Sequence, residues 1–364
     1  MGTLFRRWSL LIAVTAWAGH GCGVACLQSA VESGRSSLPS DPIFGRPTPL
    51  LFAHRGGAAE APESTRLAFF YARDEVGADV LETDVRVTAD GQFVVWHGPS
   101  LDNVRIEGQA YVPADRTRRN IGQYRWEELD GRAWVADPWN VDREHGERNN
   151  LSTVPMEPGR TLMLLNEFLT EFPCESLNIE IKDCIGKDEV ARFAEILDQA
   201  PSCPRRDAPE RTLLVATGWD SVLWHFQALD RRHLPTNLPG LMHLPRLFRL
   251  PNLFPKQGRA LQTVYSELVS GETVVRQMHR NGGAVHVFVT PFFCYPGWDE
   301  TPCVKADHIR DLLRRGVDGI MTDRPCAVAA VLDQWVAQET GGAIRRERPC
   351  VRRLKERGQW CDSH

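Results

Sequence analysis

The chain has 364 residues, a formal net charge of -4, 42% hydrophobic and 25% charged residues, which is the composition of an ordinary globular protein with material for a large core. The mild acidity excludes strong overall attraction to polyanions, so nucleic acid is not an expected partner.

At the N-terminus, Arg6 and Arg7 precede an apolar run from Trp8 to Ala18, and small residues follow up to Ala25. A positive segment, an apolar segment and a small-residue end describe a secretory signal over residues 1–25. The run is shorter than the roughly 20 residues a bilayer span needs. Cleavage after Gly21 or Ala25 would expose Cys22 or Cys26, either of which could carry a lipid in a bacterial lipoprotein. The chain is therefore expected to be secreted or held in the cell envelope. Eight further cysteines, with three neighbouring pairs about ten residues apart, suit local disulfides in an oxidising compartment. None has the paired CxxC spacing of a zinc site.

Residues 26–49 are rich in Ser, Pro and Gly and read as a linker. Leu50–Ala53 then reads as a strand, Thr65–Val76 as a helix, Asp79–Val85 as a strand and Gln92–Trp96 as an extended run. The polar, aperiodic stretch of about 101–150 reads as an insertion. Beyond it the expected helices are Leu162–Glu171, Asp188–Gln199, Ser221–Asp230, Gly271–Asn281, Lys305–Arg315 and Ala327–Gln338. The strands between them are Leu177–Ile181, Thr212–Ala216, Gly240–His243, Arg259–Thr263, Ala284–Val289 and Gly319–Met321. Eight strands alternating with helices imply a parallel sheet. Over residues 50–340 that count suits a closed (β/α)8 barrel, a TIM barrel in the α/β class, with an irregular insertion after the second strand. An open doubly wound sheet is the competitor, but its GxGxxG signature after the first strand is absent. Residues 341–364 form a basic, Cys-containing tail.

The polar residues that stand out fall where barrel strands end, which is where such folds carry their chemistry. The first strand runs into His54-Arg55-Gly56-Gly57, the second holds Glu82 and Asp84, the extended run ends at His97, and the third holds Glu180 with Lys182. Residues two apart in a strand share a face, so Glu82 joins Asp84 and Glu180 joins Lys182. Three converging carboxylates repel unless paired. One divalent cation resolves this, and oxygen ligands favour Mg²⁺ or Ca²⁺. Ion pairs with Lys182 and Arg55 are the alternative. Two histidines beside such a rim can serve as acid and base for a phosphodiester.

The pattern resembles the glycerophosphodiester phosphodiesterase family. His54-Arg55-Gly56 with Ala61-Pro62-Glu63-Ser64-Thr65 is similar to its HRG…PENT signature. Gly77-Ala78-Asp79 through Glu82-Thr83-Asp84-Val85, Thr88-Ala89-Asp90-Gly91 with Val94-Val95-Trp96-His97, and Asn178-Ile179-Glu180-Ile181-Lys182 follow in the family's order. Gly316-Val317-Asp318-Gly319 through Thr322-Asp323-Arg324-Pro325 resembles its closing strand. The resemblance spans about Leu51 to Val336. It implies a (β/α)8 barrel, a divalent metal on Glu82, Asp84 and Glu180, His54 and His97 as the acid/base pair, Arg55 and Lys182 on the phosphate, and Glu63 in support. Gly98-Pro99 follows His97 where the family usually has Asp. Where it usually has Trp, the penultimate strand carries Phe288, which could line the pocket.

The expected reaction is hydrolysis of a glycerophosphodiester to an alcohol and glycerol 3-phosphate, with water or the substrate's own hydroxyl as nucleophile. The rival readings are a lysophospholipase D or sphingomyelinase D-like lipid enzyme on the same barrel, and an inactive surface binding protein. The apolar segment Leu241–Pro255 could accept an acyl chain or could pack on the barrel's flank. The basic stretch Arg345–Arg357 could meet anionic lipid head groups or form a solvated helix. No protein partner is implied.

Overall fold

The computed structural model describes residues 38–108, 120–137, 154–205, 211–229, 238–239, 259–266, 270–289, 306–342 and 348–356. Eight strands run parallel: β1 (Leu50–Ala53), β2 (Val80–Val87), β6 (Ser176–Ile181), β7 (Leu213–Thr217), β8 (Leu238–Pro239), β9 (Arg259–Val264), β10 (Gly283–Phe288) and β11 (Gly319–Thr322). Three short strands belong to the excursion after β2: β3 (Phe93–Val95), β4 (Val104–Ile106) and β5 (Ala133–Val135). The hydrogen-bonded order is β7-β6-β2-β1-β11-β10-β9-β8. Each parallel strand thus lies beside its neighbours in the chain, and the two ends of the path, β7 and β8, approach within 8 Å at Cα. This is the strand order of a (β/α)8 barrel.

The strands are near-continuous apolar runs because both faces are covered; β1 is buried at all four positions. The helices are α1 (Arg66–Phe70), α2 (Trp126–Leu129), α3 (Leu165–Glu171), α4 (Lys187–Asp198), α5 (Asp220–Ala228), α6 (Glu272–Arg280), α7 (Ala306–Arg314), α8 (Pro325–Thr340) and α9 (Pro349–Glu356). Local chemistry sets their starts. Thr65 accepts the amide of Ala68 at 3.2 Å ahead of α1, and the Glu189 carboxylate accepts that of Gly186 at 2.7 Å ahead of α4; both satisfy donors that a helix start leaves free. Pro325 stands at the first position of α8, where its missing N–H costs nothing. Helix α1 continues as a π-helical stretch, Tyr71–Val76, and ends at Gly77 with φ 67°.

Several expectations are corrected. Residues 38–49 are not a free linker. Asp41 is fully buried and Phe44 nearly so, and Phe44 packs with Leu50, Phe52, Val80, Ala260 and Ala284 at the strands' N-terminal end. Asp41 folds its own loop by accepting the amides of Ile43 and Phe44 at 2.7 and 2.8 Å, and its other oxygen lies 2.7 Å from His286 Nε2 on β10. The segment therefore closes the barrel floor. There Gly319 must be glycine, since a Cβ would stand 2.6 Å from the Phe52 ring.

The insertion is ordered where described. Strands β4 and β5 pair antiparallel, and Leu101, Val104, Ile121, Leu129 and Val135 pack with Trp96 into a separate small core. A barrel strand is present at Leu238–Pro239, and the expected strand Gly240–His243 lies outside the described residues. Among the described residues, disulfides join Cys174 to Cys203 and Cys326 to Cys350, not Cys174 to Cys184 or Cys350 to Cys361, and Cys184 is free and exposed; Cys294 and Cys303 lie outside the described residues. The signal-like residues 1–25 and the segment Leu241–Pro255 lie outside the described residues.

Candidate active site

At the C-terminal end of β1 the chain turns sharply through His54–Gly56. Arg55 is held at φ 51°, ψ 32°, a left-handed conformation that a non-glycine residue adopts only when its surroundings enforce it. Here the Arg55 amide donates to Glu82 Oε2 at 2.9 Å. The turn directs both side chains into the barrel mouth. His54 is 5% exposed, and its Nδ1 meets Asp323 Oδ1 at 2.5 Å, just beyond β11. Its Nε2 faces Glu82 Oε2 at 3.8 Å. Phe288, at the end of β10, packs edge-on against the imidazole with ring centroids 4.4 Å apart.

Glu82 and Asp84 share one face of β2 and are almost wholly buried. Burial, then the charge of Asp84, pushes the Glu82 carboxyl well above the usual range. Burial acts on Asp84 in the same sense, but Lys182 and Arg55 outweigh it and hold its carboxyl far below the ordinary value. Asp84 Oδ1 lies 3.0 Å from Lys182 Nζ and Oδ2 lies 3.1 Å from Arg55 Nε. In register opposite Asp84 on β6 stands Glu180, whose carboxylate lies 2.9 Å from the same Lys182 ammonium. Arg55 is steadied from the other side by Glu63, 2.7 Å from NH1.

His97 follows β3, which runs antiparallel on β2. Its ring makes no hydrogen bond among the described residues, and burial together with Arg55 and Lys182 depresses it to about 3 against the pull of Asp84. His54 moves the other way: burial opposes its charge, but Glu82 and Asp323 leave it above its ordinary value. The His97 loop is fastened through its backbone. Arg86 Nε donates to the His97 carbonyl at 2.8 Å, and Arg86 NH1 reaches Asp183 Oδ1 at 2.6 Å. Trp96 Nε1 closes the turn on the Ser100 carbonyl at 3.0 Å.

All nine residues singled out from the sequence therefore lie on or beside one rim. Three partners escaped sequence reasoning. Asp323 lay within the quoted Thr322-Asp323-Arg324-Pro325 motif but was given no role. Arg86 and Asp183 carried no signal beyond flanking the two acidic strand segments.

The donor set fits a divalent cation. Ligand atoms of His54, Glu82 and Asp84 lie within 4.8 Å of one another. Both Asp84 oxygens, though in charge contact with Lys182 and Arg55, lack a well-directed hydrogen bond, which a buried carboxylate otherwise finds. Glu82 and Asp84 bring hard oxygen donors to this cluster, which suit a hard divalent cation more than a thiophilic metal.

The chain is similar to known proteins. The model of the glycerophosphoryl diester phosphodiesterase family matches residues 54–327. A glycerophosphodiester phosphodiesterase of Bacillus altitudinis is 25% identical over 279 residues, covering 76% of this chain and 94% of that protein. A Mycobacterium tuberculosis relative named "Probable glycerophosphodiester phosphodiesterase 1" is 38% identical over 104 residues, 29% of this chain; the match spans only 35% of that relative's length. The crystal structure of a glycerophosphoryl diester phosphodiesterase from Parabacteroides distasonis superimposes with a TM-score of 0.56 at 18% identity, covering 82% of this chain and 89% of that one. That likeness establishes the barrel. With the family match running from His54 through the closing strand, the chain belongs to the glycerophosphoryl diester phosphodiesterase family.

Proposed function

We propose that this chain hydrolyses glycerophosphodiesters to an alcohol and glycerol 3-phosphate, with His54 and His97 as the acid/base pair. The observation that carries this reading is the convergence of His54, Glu82 and Asp84 within 4.8 Å at the strand ends. The cations Arg55 and Lys182 stand directly beside them. A phosphodiester brings a negative charge to this rim, and fixed cations in a dry mouth stabilise the charge that grows on the phosphoryl oxygens.

One histidine takes the proton from the attacking hydroxyl, of water or of the substrate's glycerol, as the new P–O bond forms. The other delivers a proton to the alkoxide oxygen as the old P–O bond breaks. The environments of the two imidazoles differ as such a division requires. Asp323 fixes the tautomer and direction of His54 through Nδ1, leaving Nε2 as the working atom. Glu82 and Asp84, with Glu180 from the neighbouring strand, would hold Mg²⁺ or Ca²⁺. Such an ion, when bound, supplies Lewis-acid withdrawal of charge from the phosphoryl oxygens.

The test offers the purified chain, with Mg²⁺ or Ca²⁺, glycerophosphocholine and lysophosphatidylcholine in parallel. Release of glycerol phosphate from the first supports the proposal. Preference for the second transfers the assignment to a lipid phosphodiesterase, and turnover of neither overturns it. The two disulfides among the described residues support the reading of an exported chain, since such bonds persist in oxidising compartments.

A further inference from the structure

Four large hydrophobic side chains are prominently exposed among the described residues: Leu67, Met156, Trp219 and Trp224. Trp219 differs from the rest in its attachment to the catalytic rim. It lies two residues beyond the end of β7, whose last residue, Thr217, is in register with Ile181 of β6. Its indole Nε1 donates to the Lys182 carbonyl at 2.8 Å. Its backbone is tied at both ends: its amide donates to Thr217 Oγ1 at 3.2 Å, and its carbonyl accepts the Leu223 amide at 3.1 Å.

The indole is thus oriented by its one polar atom on the backbone of Lys182, whose ammonium stands beside Asp84 and Glu180, yet Trp219 remains 46% exposed. A tryptophan with its N–H already satisfied and its ring still in water offers an apolar, π-rich face. Two partly exposed carboxylates flank the same strand end. The side chain of Glu180, beside Lys182, is 22% exposed and that of Asp183, beside Arg86, is 30% exposed.

Building on the phosphodiesterase reading above, we propose that Trp219 is the platform on which the alcohol half of the diester rests, and that it selects an alcohol carrying an ammonium group. A cation over an indole face is attracted by the ring quadrupole, and tryptophan is the strongest of the aromatic side chains in this respect. The partly exposed carboxylate of Asp183, shared with Arg86, adds attraction of the same sign. An uncharged glycerol on the same spot gains contact but no such attraction. Trp219 is therefore a specificity residue: it acts on binding of one half of the substrate and takes no part in proton transfer.

The experiment measures kcat and KM for glycerophosphocholine and for glycerophosphoglycerol with the wild-type chain, Trp219→Phe and Trp219→Leu. Trp219→Leu should raise KM for glycerophosphocholine about tenfold, with kcat little changed and both constants for glycerophosphoglycerol within about twofold. Trp219→Phe, which keeps a π face, should retain most of the preference. With the wild-type chain alone, tetramethylammonium should compete with glycerophosphocholine. Equal losses on both substrates, no loss on either, or no competition overturns the platform while leaving the hydrolase reading in place. If the wild type turns over neither diester, both proposals fall together.

Discussion

His54 and Asp323 are 269 residues apart in the chain, yet Nδ1 of one lies 2.5 Å from Oδ1 of the other. The barrel makes this contact by pairing β1 with β11, with Ala53 opposite Thr322, so the residue after each strand meets its counterpart. Asp323→Asn keeps the size but removes the charge that orients the imidazole. We expect kcat to fall on the order of 100-fold, with KM for the diester within about threefold. Circular dichroism should be unchanged. Wild-type turnover in this variant would remove Asp323 from the mechanism.

Glu82 and Asp84 form a buried pair of carboxyl groups, of which only Asp84 has its charge matched by Arg55 and Lys182. Adding Mg²⁺ or Ca²⁺ to the chelated protein should restore turnover and raise the melting temperature. At a metal concentration a hundredfold above Kd, the linkage amounts to about 2.7 kcal/mol. Glu82→Gln should abolish most of the metal-induced shift and most turnover. Calorimetry with and without chelator measures both, and an unchanged melting temperature on metal addition would exclude a site at this pair.

Arg86 holds the His97 carbonyl and the Asp183 carboxylate together, and this backbone anchor operates where Gly98 stands in place of the family's usual Asp. Nothing steric explains the glycine, since a Cβ there would come no closer than 3.4 Å to a neighbour. Arg86→Lys keeps the charge but loses the two-pronged geometry, which lysine does not reproduce. About a tenfold loss in kcat is expected, with the melting temperature within a few degrees. Activity equal to wild type would show that the Trp96–Ser100 contact suffices to hold His97.

What the sequence made legible follows from periodicity. Glu82, Asp84, Glu180 and Lys182 sit in strands, so a period of two places their side chains, and alternation with helices places the strands in a barrel. The contacts that periodicity cannot express were the ones missed. Asp323 meets His54, and Asp41 meets His286, through strand pairing and floor closure across more than two hundred residues. Residues 38–49 look like a linker by composition because their one buried aromatic, Phe44, and one buried acid, Asp41, form no repeating pattern. Disulfide connectivity was illegible for the same reason: Cys326 and Cys350 are brought together by the packing of α9 on α8, not by proximity in the chain.

Glu60 ties the loop that follows His54 to the start of α8. Its carboxylate accepts the Tyr71 hydroxyl at 3.1 Å and the Cys326 amide at 3.0 Å. Burial pushes its carboxyl from 4.5 up to about 7, against those hydrogen bonds. The folded chain therefore keeps this proton over a range in which the unfolded chain has lost it. Stability from this group is fully present below pH 4.5 and is lost as pH rises to about 7. The loss across that window is on the order of 3 kcal/mol. His279, raised by its hydrogen bond to Asp318, contributes in the same direction, so the wild-type curve alone does not isolate Glu60. Glu60→Gln can still accept from Tyr71 and Cys326 but carries no titrating proton. Denaturant unfolding of both proteins from pH 4 to pH 8 should give a difference that grows in favour of the Glu60→Gln variant through this window and is constant above it. A difference that stays flat across the window would show that Glu60 is ionised in the fold at no cost.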